Sequence, residues 1–512
     1  MIANLKRNII ANYAGSIWTS LMQLAFVPLY IKFMGIESYG LVGFFGTLMA
    51  TLSVLDMGLN GTLNREMAMR SALPGQEQTS RDLLRTVEVI YWSVALILGA
   101  LIVLLAPAIA ANWIKSSTLA VTDIQQTLMI MGLVVVMRWP FALYQGGLMG
   151  LQKQVLVNGL NSLFATFRGL GAIAVLWMVA PSIKAFFWFQ VLASSLETLA
   201  AMYFLWSAIS VTARRSRFRI SLLREIRGYA TAMMGIGVAA TVMTQIDKIV
   251  ISKFFTLDLL GYYCLAWTVG TSLIRFASPI SSAIFPRFAQ LVSIQDSAII
   301  TNLYHKSAQL MSVVILPLAA VIGLYSHEVL FFWTGIPKVA NETGLVTAIL
   351  ILGSVCNAVN NIPLAMQLAY GWISLPFWTN VVAAMLFTPV VILLIETFGL
   401  PGAGLSWLFL NLVYVLIQVP IMHQRILKGE LFNWCLHDIV IPGLGALAPV
   451  MFCKIFLDQP SSKTGVLFLL GVAWCLSFLC STVAASCIRQ HLATWIDVLI
   501  ARFYSKCING LG

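Results

Sequence analysis

Four ionised side chains sit where a membrane-crossing segment is least able to hold them. Arg138, Arg168, Glu197 and Arg275 each fall near the middle of a long apolar run. A charge at mid-bilayer costs about 2.5–3.5 kcal/mol even on lenient insertion scales, so such groups face a bundle interior or a wet cavity. Lys248 and Asp247 share that setting, and Asp56 stands within one turn of a helix end. Arg138, Arg168, Arg275 and Lys248 outnumber Glu197 and Asp247. A lumen lined by them is positive and favours an anionic substrate. Glu197, Asp247 and Asp56 are the candidates for coupling ion or proton entry. Each charge also has a purely structural reading. Arg138 or Arg168 pairs with Glu197 and knits helices together, Lys248 snorkels outward with Asp247 as partner, and Asp56 caps a helix or pairs with Arg65.

Uncharged polar residues extend these positions into stripes at helical spacing. Asn12, Ser16, Thr19 and Gln23 occupy one face of the first apolar run. Arg138 and Gln145 flank Pro140, which kinks the fourth. Asn158, Asn161 and Arg168 line the fifth, and Gln190, Ser194 and Glu197 the sixth. Thr241, Gln245, Lys248 and Ser252 line the seventh, and Thr268, Ser272 and Arg275 the eighth. The tenth carries Asn357, Asn360 and Asn361 before Pro363, then Gln367.

The elements that hold these stripes follow from composition. Hydrophobic residues are 60 % of the 512 and charged residues 10 %, a balance that excludes a soluble protein. Runs of about 20 apolar residues read as membrane-spanning helices, and about fourteen are present. They are too long and too uniform for barrel strands. Lys and Arg crowd the loops on one side, including Arg65, Arg70, Arg81, Arg85, Lys153 and Arg287, which places both termini in the cytoplasm. The +12 net charge is thus an orientation signal, and no soluble basic domain exists to bind nucleic acid. The first span, following Lys6 and Arg7, reads as an anchor that stays.

A repeat divides the chain. Lys32-Phe33 leading to Glu37 and Gly40 recurs as Lys253-Phe254 leading to Asp258 and Gly261, with the same spacing and six spans between. An even number of spans makes the copies parallel, related by a pseudo-twofold along the membrane normal. The expected domains are a six-helix bundle over 1–207, a basic amphipathic cytoplasmic linker over 208–228, a second six-helix bundle over 229–423, and two extra helices with a tail over 424–512. Arg214, Arg215, Arg217 and Arg219, interleaved with Phe218 and Ile220, suit the linker to anionic lipids or to a solvated loop. The tail residues Trp495, Val498, Leu499, Arg502 and Phe503 have a similar interfacial character. Polar groups inside the last two spans read as mostly Ser, Thr and Cys, apart from Lys454 near an end, which leaves the polar lumen to the first twelve.

No catalytic or cofactor signature is present: there is no Walker A loop, no H-E-x-x-H and no nucleophile elbow. The eight cysteines form no C-x-x-C, and the five histidines are scattered without metal-ligand spacing. No metal, no cofactor and no enzymatic activity are expected.

Several motifs carry a family likeness. Asn12-Tyr13-Ala14-Gly15, Pro28-Leu29-Tyr30, Gly35 to Gly40, and Leu55-Asp56-Met57-Gly58-Leu59 resemble the polysaccharide-exporter family. So do Gln245 to Ile251, Leu260-Gly261-Tyr262-Tyr263 and Phe285-Pro286. That family includes the O-antigen flippases and is grouped with multidrug and toxin extrusion exporters and lipid II flippases. The resemblance implies an all-α integral membrane fold with two six-helix bundles around a cavity and two further helices. It implies movement of undecaprenyl-diphosphate-linked oligosaccharide from the inner to the outer leaflet of a bacterial inner membrane, by alternating access coupled to a proton or sodium ion. Membrane lipids and a polysaccharide polymerase are the other partners it implies. Arg138, Arg168, Arg275 and Lys248 then neutralise the diphosphate, and Asn161, Gln23 and Asn357 contact sugars. Arg275 matches the position of a cavity arginine of the lipid II flippases. Their first-span arginines are absent, which argues against lipid II itself. The competing readings are a multidrug or metabolite antiporter of the same fold and a membrane glycosyltransferase or polymerase. A basic lumen opposes the first, and the lack of a long outer loop opposes the second.

Overall fold

The computed structural model describes residues 2–490 except 57, 72–74, 211–213, 295–296 and 458–461. The tail positions Trp495, Val498, Leu499, Arg502 and Phe503 lie outside the described residues. Among those described the chain is helical with no strand, and thirteen segments are long and apolar enough to cross a membrane. The expected seventh span is a helix of 35 residues, Ile220–Phe254.

By its internal contacts the chain separates into Met1–Tyr262 and Tyr263–Gly512. The first unit contains α1 (Ile2–Met34), α2 (Ile36–Leu52), α3 (Leu59–Ser71), α4 (Glu77–Asn112), α5 (Val121–Arg138), α6 (Phe141–Gly150), α7 (Gln154–Met178), α8 (Ile183–Ala208), α9 (Ile220–Phe254) and the start of α10 (Leu257–Gly270). The second continues through α11 (Leu273–Ile294), α12 (Ser297–Leu324), α13 (Ser326–Thr334), α14 (Pro337–Ala369), α15 (Ser374–Phe398), α16 (Leu400–Val413), α17 (Val419–Arg425), α18 (Leu431–Asn433), α19 (Ile441–Phe456) and α20 (Lys463–Ala484). Two π-helical segments, Tyr414–Gln418 and Trp434–Val440, interrupt the later spans. α9, which the sequence assigns to the second bundle, packs against α2, α3 and α4 of the first unit.

The two repeat copies meet in the first unit. Gly35 turns the chain between α1 and α2 at φ 80°, a conformation only glycine adopts freely. A Cβ at Gly40 would lie 2.0 Å from the Leu257 carbonyl oxygen, and one at Gly261 would lie 2.7 Å from that of Ile36. The glycines shared by the two motifs therefore let α2 and α10 cross reciprocally, backbone on backbone. The loop after α4 closes over this crossing. Glu37 accepts from the Ser116 hydroxyl (2.5 Å) and the Thr118 amide (3.1 Å), while Lys115 donates to the Phe254 carbonyl (3.2 Å). A Gly40→Ala substitution is expected to destabilise the protein by about 1–3 kcal/mol through overpacking. Gly46→Ala on the same helix, where a Cβ meets nothing within 4 Å, should leave the thermal midpoint of the purified protein unchanged. Equal midpoints for both variants would contradict the crossing.

The linker is partly docked. Its residues 214–219 run without helix before α9 begins at Ile220. The Arg217 amide donates to Asp82 and the Arg219 amide to Thr86, both at 2.9 Å, and the Arg219 guanidinium reaches Asp82 at 2.8 Å. Its second half, expected as a surface segment, is the opening of the continuous helix α9.

Candidate functional site

In the first unit Arg168, Glu197 and Arg138 gather. α7 presents Arg168 and α8 presents Gln190, Ser194 and Glu197 at helical spacing, so the two predicted stripes face one another. The Arg168 guanidinium donates to Gln190 (2.9 Å) and Ser194 (3.1 Å) and forms an ion pair with Glu197. That pair is largely buried and joins two helices, in line with its structural reading. Arg138 stands within electrostatic range of both Arg168 and Glu197. Its side chain is exposed. Two cations against one acid leave the cluster positive.

Arg138 is the last residue of α5, and the helix restarts at Phe141 after Pro140. The expected kink is thus a two-residue turn, Trp139 and Pro140, whose backbone stays in the helical region. The eighth span is interrupted as well, a break that sequence reasoning missed. α10 ends at Gly270 and α11 begins at Leu273, with Arg275 in its first turn. Irregular backbone at membrane depth survives only where protein buries it or a water-filled cavity receives it. Arg275 is exposed, and its guanidinium has no hydrogen-bond or ion-pair partner among the described residues; the same holds for Arg138. In each unit an unpaired arginine therefore sits at a break in a spanning helix.

The remaining predicted residues divide. Lys248 is buried, so it does not snorkel. It donates to the Thr244 carbonyl (2.8 Å) and pairs with Asp247 (3.3 Å). Asp56 accepts from the Asn60 amide at 3.3 Å, a helix cap, while Arg65 pairs with Glu66 instead. The other Asp56 oxygen is buried without a hydrogen-bond partner among the described residues. Gln23 is exposed and Asn161 half-buried. Asn158, from the same stripe as Asn161, donates to Asn12 of α1 at 2.5 Å. In the second unit Asn357 donates to Asn411 (2.9 Å) and Gln418 to Gln367 (3.1 Å), so much of the tenth-span stripe binds α14 to the twelfth span.

Sequence reasoning also missed a cluster in the second unit. His305 of α12 lies between Asp438 and Glu430, and Gln309 joins it one turn on. The thirteenth span therefore holds a buried acid, Asp438, where mostly Ser, Thr and Cys were expected apart from Lys454. Its being ionisable and inside an apolar run was the available signal. Its partners lie more than a hundred residues away in the chain. Among the described residues no group of His, Cys, Asp and Glu is arranged to hold a metal ion.

Comparison with known proteins places this geometry. The sequence profile of the family described as "Polysaccharide biosynthesis protein" matches residues 5–292. A Shigella flexneri protein provisionally named as an O-antigen transporter is 22 % identical over 402 residues, covering 78 % of this chain and 93 % of its own length. The lipid II flippase MurJ in an inward closed conformation has a TM-score of 0.67 at 13 % identity, over 93 % of this chain and 98 % of that one. An inward-facing multidrug resistance MATE family transporter of the MOP superfamily has a TM-score of 0.63 at 15 % identity, over 82 % and 94 %. The chain is a multi-pass helical membrane protein with the fold these two share.

Proposed function

We propose that this chain, which belongs to the polysaccharide biosynthesis protein family, is a flippase for undecaprenyl-diphosphate-linked oligosaccharide, an O-antigen repeat unit or a related glycan. It carries the lipid from the inner to the outer leaflet of a bacterial inner membrane with both of its own termini in the cytoplasm. It is a transporter, not an enzyme.

The observation that carries this reading is the pair of unpaired arginines at breaks in spanning helices, Arg138 at α5/α6 and Arg275 at α10/α11. An unpaired guanidinium in a low-dielectric bundle is stabilised by an anion, and its planar fork suits phosphate oxygens. Helix interruptions near mid-membrane are where transporters of several folds hold charged solutes. Arg138 in the first unit and Arg275 in the second each offer a countercharge to the diphosphate headgroup, polar side chains such as Gln23 and Asn161 meet the sugars, and the prenyl tail stays in lipid. The MurJ likeness and the O-antigen name of the Shigella relative support this substrate class. Of the acids first considered for coupling, Glu197 and Asp247 are each bonded to a cation. Asp56, with one oxygen unpartnered, is the best placed to take up a coupling proton or sodium ion.

Deletion tests the reading. The expected result is accumulation of a lipid-linked oligosaccharide on the inner leaflet with loss of the corresponding surface glycan. Drug hypersensitivity with intact surface glycan would select a multidrug exporter instead.

A further inference from the structure

The His305 cluster holds more acceptors than a neutral imidazole can satisfy. Nδ1 lies 2.5 Å from an Asp438 oxygen and Nε2 lies 3.2 Å from a Glu430 oxygen. A neutral imidazole has one N–H, and only the protonated ring donates from both nitrogens. His423, close by, shows the contrast. Its Nδ1 donates to the Val419 carbonyl (2.9 Å), leaving Nε2 to accept from the Tyr304 hydroxyl (3.2 Å), so it is satisfied when neutral. Around His305 the geometry requires one proton more than a neutral ring between two carboxylates contains.

The cluster sits where a proton can reach it and where its charge has consequences. His305, Glu430 and Asp438 line an open cavity of about 630 Å³ together with Thr301, Asn302 and Ser486. Asp438 lies in the π-helical segment Trp434–Val440, and such segments recur at functional sites. Gln309 donates to the second Asp438 oxygen (3.0 Å), and its own carbonyl accepts from the Cys487 amide (2.8 Å), just beyond α20. Gln309 of α12 thereby ties the end of the fourteenth span directly and the start of the thirteenth through the Asp438 carboxylate that orients its amide. The other ionisable groups nearby are Tyr304 and Lys306 beside His305, His423, His437 and Cys487. Asn433 donates to Glu430 at 2.8 Å and holds its carboxyl below the usual range. Arg287 of α11 bonds Gln290, and Lys454 of α19 bonds the Leu324 carbonyl at the opposite end of α12.

We propose that His305, Asp438 and Glu430 form a proton-binding site whose bound proton clamps the start of the thirteenth span to α12 and, through the Gln309 amide that Asp438 orients, steadies the end of the fourteenth. The ligand is a proton taken from water in the cavity. When it leaves, one carboxylate loses a donor, and two anions, otherwise held only by Gln309 and Asn433, flank a neutral ring; their repulsion favours separation of the elements that carry them. The clamp is therefore closed in acid and loosens as pH rises. This does not depend on which solute the protein moves.

Hydrogen exchange on the full chain in lipid nanodiscs tests it, read on the peptide containing Ser486–Gln490 after correction for the intrinsic pH dependence of exchange. Protection of the wild type should fall about tenfold as pH rises from about 5.5 to about 8.5. His305→Gln and Asp438→Asn should flatten that dependence. Gln309→Leu should remove protection at every pH. His327→Gln, in α13 beyond the far end of α12 and bonded to Asn341, should keep the wild-type curve. Should His305→Gln fail to fold, the wild-type curve and the control histidine still decide. A pH-independent wild type, the wild-type slope persisting in His305→Gln, or loss of the slope in His327→Gln overturns the proposal. Failure of glycan export with the slope intact bears on the flippase reading alone.

Discussion

Arg138→Ala and Arg275→Ala are each expected to abolish surface glycan while leaving the protein at its normal level in the membrane. Both guanidiniums lack a partner among the described residues, so removing either strands no buried acid and carries no penalty from a broken ion pair. What is lost is the countercharge for the diphosphate. Truncating one member of a desolvated charge pair typically costs about 2–5 kcal/mol, which corresponds to at least about a 30-fold loss of transport. Lysine at either position keeps the charge but not the fork, so Arg138→Lys and Arg275→Lys should fall between the wild type and the alanine variants. The checks are glycan display in a deletion strain and the immunoblot level of each variant. Normal display from both alanine variants would remove charge neutralisation from the mechanism.

Glu197→Leu should behave oppositely, failing by instability. It leaves Arg168 among Gln190 and Ser194 with its ion-pair partner gone. Removing one member of a buried pair costs about 3–5 kcal/mol, whereas replacing both with apolar groups of similar volume is often neutral. The double variant Arg168→Met/Glu197→Leu should therefore recover the thermal midpoint that Glu197→Leu loses, read on detergent-purified protein by size exclusion after heating. The double variant also separates two roles. Stable protein with normal glycan makes the pair a knot between α7 and α8. Stable protein without glycan assigns Arg168 to the substrate. A wild-type midpoint for Glu197→Leu would show that the pair does not hold the helices.

The amino-acid sequence by itself determined the class of the protein, because membrane solvation acts on composition and run length, which are local. It determined the helical stripes for the same reason, since period is local; that Asn158 faces Asn12, and that Arg168 and not Arg138 pairs with Glu197, came from helix packing. The repeat, too, was legible, since Gly40 and Gly261 are required wherever two backbones cross closely. Only the tertiary structure decided which charges are free. Arg138 and Arg168 look alike as single residues in apolar runs, yet Arg168 is paired and half-buried while Arg138 is exposed with no hydrogen-bond or ion-pair partner among the described residues. The break before Arg275 carries no proline within its two connecting residues, Thr271 and Ser272; its local signals, Gly270 and the later Pro279, also occur in continuous helices and do not fix the position of a break. His305, Glu430 and Asp438 are far apart along the chain, and their shared proton follows from three elements converging, a property that no spacing within one helix encodes.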